Sequence, residues 1–228
     1  MGEIVRYRSN GGQSEGYLAR PPSGSGPGVI VIQEWWGLVP HITSLVDRFA
    51  DAGFVALAPD LYHGQHTAEP DEAGKLMMGL AMGQAAKDMA GAAVFLTEQD
   101  YVSSDRVAAI DFCMGGSLAL WSATLSDKIT ATIGFYPPVP WERMNPSWAD
   151  YAGKSALIHC SEHDGTSAAP GIQLAKSSIE AAGGDCTLYD YPGTDHAFFN
   201  DDRPEVYNST AAATAWARSL SFLRDHLG

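Results

Sequence analysis

The chain has 228 residues, and its 14 Lys and Arg stand against 27 Asp and Glu, a formal net charge of −13. That surplus of acid argues against nonspecific attraction to nucleic acid or to anionic membranes. With 45% hydrophobic residues the chain is not a disordered polymer, and its length suits one α/β domain over residues 1–228 that buries about 70% of its unfolded surface.

Residues 4–7 and 17–19 read as short strands around the turn-rich Ser9-Asn10-Gly11-Gly12, forming an antiparallel edge. Val29-Ile30-Val31-Ile32 is continuously apolar, as in central strands of a parallel sheet buried on both faces. Residues 35–40 read as a loop. Leu45, Val46, Phe49 and Ala50 then mark one face of a helix that Gly53 stops. Residues 54–58 give a second buried strand, ended by Pro59. Residues 60–71 read as a long polar loop with Tyr62, His63 and His66. Helices are predicted over 76–82 and 85–96, a strand over 107–110, a helix over 115–121, and a strand over 131–136 that Pro137-Pro138 breaks. A strand over 156–159, a helix over 172–182 ending at Gly183-Gly184 and a strand over 187–189 follow. The last helix begins after Asn208 or Ser209 and places Ala213, Trp216, Leu220 and Leu223 on one stripe. Alternating strands and helices imply a mainly parallel sheet covered on both faces.

The three cysteines, Cys113, Cys160 and Cys186, are too few for a disulfide framework, and their odd number suits a reducing compartment. Around Glu3 and Arg6 there is no apolar stretch of a signal peptide, and no run approaches the roughly 20 apolar residues of a membrane span. The expected location is the cytoplasm.

The chemistry concentrates at predicted strand ends. Asp111-Phe112-Cys113-Met114-Gly115-Gly116 joins a strand directly to a helix. Such a sharp turn exposes its central residue above the sheet. A cysteine there sits at a helix N-terminus, which favours the thiolate, and the Met114 amide faces any oxyanion formed beside the sulfur. Taken alone, Cys113 reads equally well as a buried structural cysteine. Its partners raise the functional reading. Asp164 follows the 156–159 strand, and His196 follows the 187–189 strand. Both stand where open α/β sheets place their reacting groups. The chain order is nucleophile, acid, histidine. His163 is a rival base, but it shares a loop with the acid. His159, Cys160, His163 and Asp164 also invite a metal reading. Neighbours on a strand point to opposite faces, however, and no second ligand pair completes a site, so no metal is expected.

Taken together, these segments resemble the dienelactone hydrolase family of the α/β-hydrolases. The likeness runs from the strand at Val29 to the final helix. It rests on Gln33-Glu34-Trp35-Trp36-Gly37, Ala58-Pro59-Asp60-Leu61-Tyr62, Phe112-Cys113-Met114-Gly115-Gly116, Asp164-Gly165 and His196-Ala197-Phe198. The resemblance implies an α/β-hydrolase fold with Cys113 as nucleophile, Asp164 as acid and His196 as base. It also implies that Glu34 contacts the resting cysteine, and that the Trp35 and Met114 amides form the oxyanion hole. Trp36, Tyr62, Tyr136 and Phe198 are the expected apolar pocket. The implied activity is hydrolysis of a small ester or lactone through a thioester, without metal or organic cofactor. A monomer or weak homodimer is expected. Asp111 and Asp195 stand where glycines are common in the family. Members specific for dienelactone hold its carboxylate with two arginines. Here residues 72–82 offer Lys75, and Asn200 stands four places after His196, with Arg203 beyond. The competing functional classes are a thiol redox enzyme, which needs a resolving cysteine, and a non-catalytic binding protein of the same fold.

Overall fold

The computed structural model describes every residue except Met1, Asn10, Val139 and Pro140, and the backbone without the side chains of Met114, Gly115, Gly116 and Trp141. The turn predicted at Asn10 therefore lies outside the described residues. Among those described, eight strands form one sheet: β1 (Glu3–Ser9), β2 (Gly12–Ala19), β3 (Gly26–Ile32), β4 (Val55–Pro59), β5 (Val102–Phe112), β6 (Ile129–Phe135), β7 (Ser155–Ser161) and β8 (Asp185–Tyr191). Their spatial order is β1-β2-β4-β3-β5-β6-β7-β8. β2 runs antiparallel to both neighbours, and every other pair is parallel. This is the α/β-hydrolase arrangement with an antiparallel N-terminal edge.

The apolar run at Val29 works as two faces of one strand. Ile30 and Ile32 enter one core with Val55, Leu57, Val107 and Ala109. Val29 and Val31 enter the other with Ala56, Ala58, Ala108 and Ile110. All are fully buried, and each large aliphatic side chain so buried is worth about 1.5–3 kcal/mol. Two layers of helices cover these faces. α1 (Pro40–Asp51) and α7 (Ser209–Leu227) lie on the second core. α3 (Met82–Thr97), α4 (Met114–Ser122) and α6 (Pro170–Ala181) lie on the first. α2 (Pro70–Gly79) and the one-turn α5 (Trp141–Met144) stand at the rim.

Local chemistry explains the helix ends. α1, α2 and α6 open on a proline, whose fixed φ and missing N–H suit the first turn. Asn208 caps α7 by accepting the Ala211 N–H. Two expectations need correction. The 60–71 loop ends at Pro70, where α2 begins. The buried stripe of α7 is Ala212, Ala215, Ser219, Leu223 and Leu227, and Ala213 is exposed. Trp216 and Leu220 flank that stripe rather than centre it, because the polar Ser219 faces inward to a buried histidine.

The chain order creates the site. From β3 the chain crosses through α1 to β4 on one side, then returns through α3 to β5 on the other. The crevice between the C-terminal ends of β3 and β5 is therefore the topological switch point, where such sheets bind ligands. Ile32 pairs with Asp111 at that end, so the segments after both strands emerge side by side.

Candidate active site

β5 ends at Phe112 and α4 begins at Met114, leaving one residue to make the turn. That residue, Cys113, has φ 57° and ψ −123°. A side chain in this conformation costs on the order of 1–3 kcal/mol. Surrounding contacts over-determine it. The Cys113 N–H donates to Phe135 O on β6 at 3.1 Å, and Phe112 stacks on Phe135 beneath, centroids 4.7 Å apart. Cys113 is half-buried, whereas Cys160 and Cys186 are buried. Burial pushes their thiols up to about 12 and about 11. The Met114 N–H belongs to the first turn of α4, whose amides have no intrahelical partner.

Asp164 and His196 come from the loops after β7 and β8. His196 Nε2 lies 3.0 Å from Cys113 Sγ, and its Nδ1 lies 2.7 Å from Asp164 Oδ2. Ser161, the last residue of β7, donates its hydroxyl to the same Asp164 oxygen. The histidine side chain is 37% exposed, which leaves room for a substrate beside it. Tyr136 packs against its ring with centroids 4.9 Å apart. Tyr136 and Ala197 also adopt positive φ, 39° and 65°, so backbone strain gathers where the three loops meet.

The rival base is accounted for. His163 pairs with Asp195 at 2.7 Å on the exposed surface, and this also gives Asp195 its partner. The four candidate ligands near β7 are not brought together. His159 bonds Tyr191 and Ser219, Cys160 enters the opposite core, His163 meets Asp195 and Asp164 meets His196. Among the described residues, a different group, His41, Asp201 and Asp202, brings three ligand-type atoms within 4.8 Å of one another.

Glu34 is 3% exposed and accepts a hydrogen bond from Asn200 Nδ2 at 3.4 Å. Burial pushes its carboxyl up to about 7, against the lowering effects of Arg203 and Asn200. Asn200, unremarked from sequence except as a missing arginine, is thus its neighbour. Gln33 ties the β3 and β4 loops by accepting the Leu61 N–H at 3.0 Å. Asp111 is fully buried under α4 and accepts the Ala119 N–H at 3.0 Å. Burial drives its carboxyl well above the usual range, against the lowering effect of the helix amides that face it. The family resemblance pointed to Gln33, Glu34 and Asp111, but nothing in the sequence paired Glu34 with Asn200 or Gln33 with Leu61.

The pocket residues divide. Trp35 and Trp36 are partly exposed, with ring centroids 4.7 Å apart. Trp36 lines a cavity of about 520 Å³ together with Glu34, His41, His66, Asn200 and Arg203. Tyr62 lines another of about 450 Å³. Phe198 and Tyr136 were expected to line the pocket, but they are 0% and 1% exposed. Phe198 is wedged between Tyr136 and Tyr191, so it supports the rim from below and offers no surface to a ligand. Lys75 pairs with Glu72 on α2, and Arg203 with Glu205.

Residues 14–227 match the model of the dienelactone hydrolase family. Over the full length of both chains the sequence is 36% identical to protein usf of Aquifex pyrophilus. It is 32% identical, again over both full lengths, to a candidate carboxymethylenebutenolidase of Aquifex aeolicus strain VF5. Among solved structures, a dienelactone hydrolase-like promiscuous phosphotriesterase from metagenomic libraries superposes with a TM-score of 0.84 at 22% identity, covering 100% of this chain and 99% of that one.

Proposed function

The chain belongs to the dienelactone hydrolase family and is a cysteine-dependent ester or lactone hydrolase; from that premise we propose a role for each residue at the rim. His196, oriented by Asp164, takes the proton from Cys113 Sγ. The thiolate attacks the carbonyl carbon of a small ester or lactone. The amides of Trp35 and Met114 hold the oxyanion of the tetrahedral intermediate. Collapse breaks the carbon–oxygen bond, His196 returns the proton to the departing oxygen, and an acyl thioester remains on Cys113. Water, deprotonated by His196, attacks the thioester and releases the acid and the free thiol.

Glu34 gates the resting nucleophile. Above pH 7 its carboxylate disfavours a thiolate nearby, which keeps the sulfur protonated until substrate arrives. Trp36 and Tyr62 offer apolar walls to the acyl or leaving group. The enzyme works without metal or organic cofactor, as one domain, a monomer or weak homodimer in the cytoplasm. Among the described residues no helix is long and apolar enough to cross a membrane.

The observation that carries this reading is His196 standing between Cys113 and Asp164 at hydrogen-bond distance from both. A panel of lactones and aryl esters, assayed with wild type and Cys113→Ser, tests it. Turnover of at least one substrate that disappears in Cys113→Ser is expected. Equal turnover by both proteins would reject the cysteine mechanism.

A further inference from the structure

Tyr62, His63 and Gly64 follow β4, and the catalytic account leaves His63 unused. Its backbone is left-handed, with φ 52°, a conformation that a non-glycine residue holds only under constraint. Asp60 anchors one end of this segment, accepting the N–H groups of Tyr62 (3.1 Å) and Gly64 (2.5 Å). The His63 side chain reaches the other anchor. Its Nε2 stands 3.2 Å from Oδ2 of Asp88, a fully buried acid on α3.

Asp88 is built for that contact. Its Oδ1 already accepts from Ser9 Oγ at 2.6 Å, Ser14 Oγ at 2.5 Å and Gln84 Nε2 at 2.9 Å. Its Oδ2 has no hydrogen-bond partner among the described residues, and His63 faces it at ion-pair distance. A buried carboxylate oxygen is favoured by a polar or cationic group that faces it. Removing the imidazole therefore takes away the contact that ties this segment to α3. Beside it lies the 450 Å³ cavity, lined by Tyr62 and His63 on one side and by Glu72, Lys75 and Leu76 of α2 on the other. The segment thus has space to move into once it is released.

We propose that His63 is a positioning residue, a latch that pins the β4 segment to Asp88 and so holds Tyr62 as a wall of the reaction site. The proposal rests on the reading of Tyr62 as a substrate contact. A released segment lets Tyr62 shift within the cavity it lines and lose its set position, which weakens substrate binding more than it slows chemistry.

His63→Gly separates the latch from the backbone. Glycine relieves the positive φ, so a residue needed only for its turn tolerates the change. The latch instead requires faster amide exchange over residues 60–68, by roughly tenfold, and a KM raised several-fold with a smaller change in kcat. His63→Gln, which keeps a donor of similar reach, should recover most of both effects. Tyr62→Ala, assayed in parallel, should raise KM to a similar extent. Unchanged exchange in His63→Gly would overturn the latch. Faster exchange with unchanged KM, together with unchanged KM in Tyr62→Ala, would overturn the assignment of Tyr62 as a wall, and with it the functional half of the proposal.

Discussion

Two histidines, one in the core and one at the rim, hold their partners at nearly the same distances. His159 on β7 places Nδ1 2.8 Å from the Tyr191 hydroxyl and Nε2 3.0 Å from the Ser219 hydroxyl. His196 places Nδ1 2.7 Å from Asp164 and Nε2 3.0 Å from Cys113. The difference lies in what the partners are and where they sit. His159 is fully buried, stacked near Phe135 with centroids 4.3 Å apart, and surrounded by neutral hydroxyls. Burial, with some help from Arg218, lowers it to about 3, so it stays neutral and structural. His196 is partly exposed, has a carboxylate behind it and an ionisable sulfur ahead. Bond lengths alone do not make a catalytic histidine; a charged partner, a transferable proton and access for substrate do.

Substitution separates the two roles most sharply. His196→Ala should lower kcat/KM by roughly 10³-fold or more. His159→Gln should leave kcat/KM within a few-fold and lower the melting temperature by several degrees. Steady-state kinetics and a thermal melt on both variants decide it. A severe catalytic defect in His159→Gln with a native melting temperature would collapse the distinction.

The pH dependence of stability should divide them next. The unfolded chain protonates His159 near pH 6.5, but the folded chain resists until about 3. Between those values the unfolded state binds more protons, so stability falls as pH falls. From pH 7 to pH 4.5 wild type should lose on the order of 2–3 kcal/mol that His159→Gln does not lose. Urea titrations at the two pH values measure the difference. Parallel losses in both proteins would assign the acid sensitivity elsewhere.

A smaller effect is expected at Glu34. Its carboxyl titrates near 7, so it carries charge at pH 8 and little at pH 6. Glu34→Gln should accelerate peroxide oxidation of Cys113 by a few-fold at pH 8 and hardly at all at pH 6. An unchanged rate at pH 8 would reduce Glu34 to a structural acceptor for Asn200.

The same contrast marks what was legible in the sequence. The central strands announced themselves because both faces are apolar. The elbow did so because Gly115 and Gly116 follow Cys113 at once, whereas the sequence left the start of α7 open between Asn208 and Ser209 and the structure shows Asn208 as its cap. β1 and β2 extend well beyond the predicted residues. Arg6, Ser14 and Glu15 dilute their apolar pattern, yet the two strands pair throughout. The α7 stripe was misread because Ser219 is polar and still faces inward, toward His159. Asp164 and His196 could be found because each follows a recognisable strand. Asn200 beside Glu34, Ser161 behind Asp164 and Asp88 beneath His63 could not. Each matters through a neighbour distant in the chain or through a bond that only the folded loop creates.

The central claim is that Cys113 carries the acyl group. Wild type and Cys113→Ala should each be mixed with an activated aryl ester, quenched in acid within the first turnover, and examined by intact mass and peptide mapping. One acyl group on Cys113 of the wild type is expected, labile to hydroxylamine and absent from Cys113→Ala. Cys160 and Cys186, with buried thiols pushed up to about 12 and about 11, should stay unmodified. Ester turnover without an acyl adduct on Cys113, or turnover retained in Cys113→Ala, would contradict it.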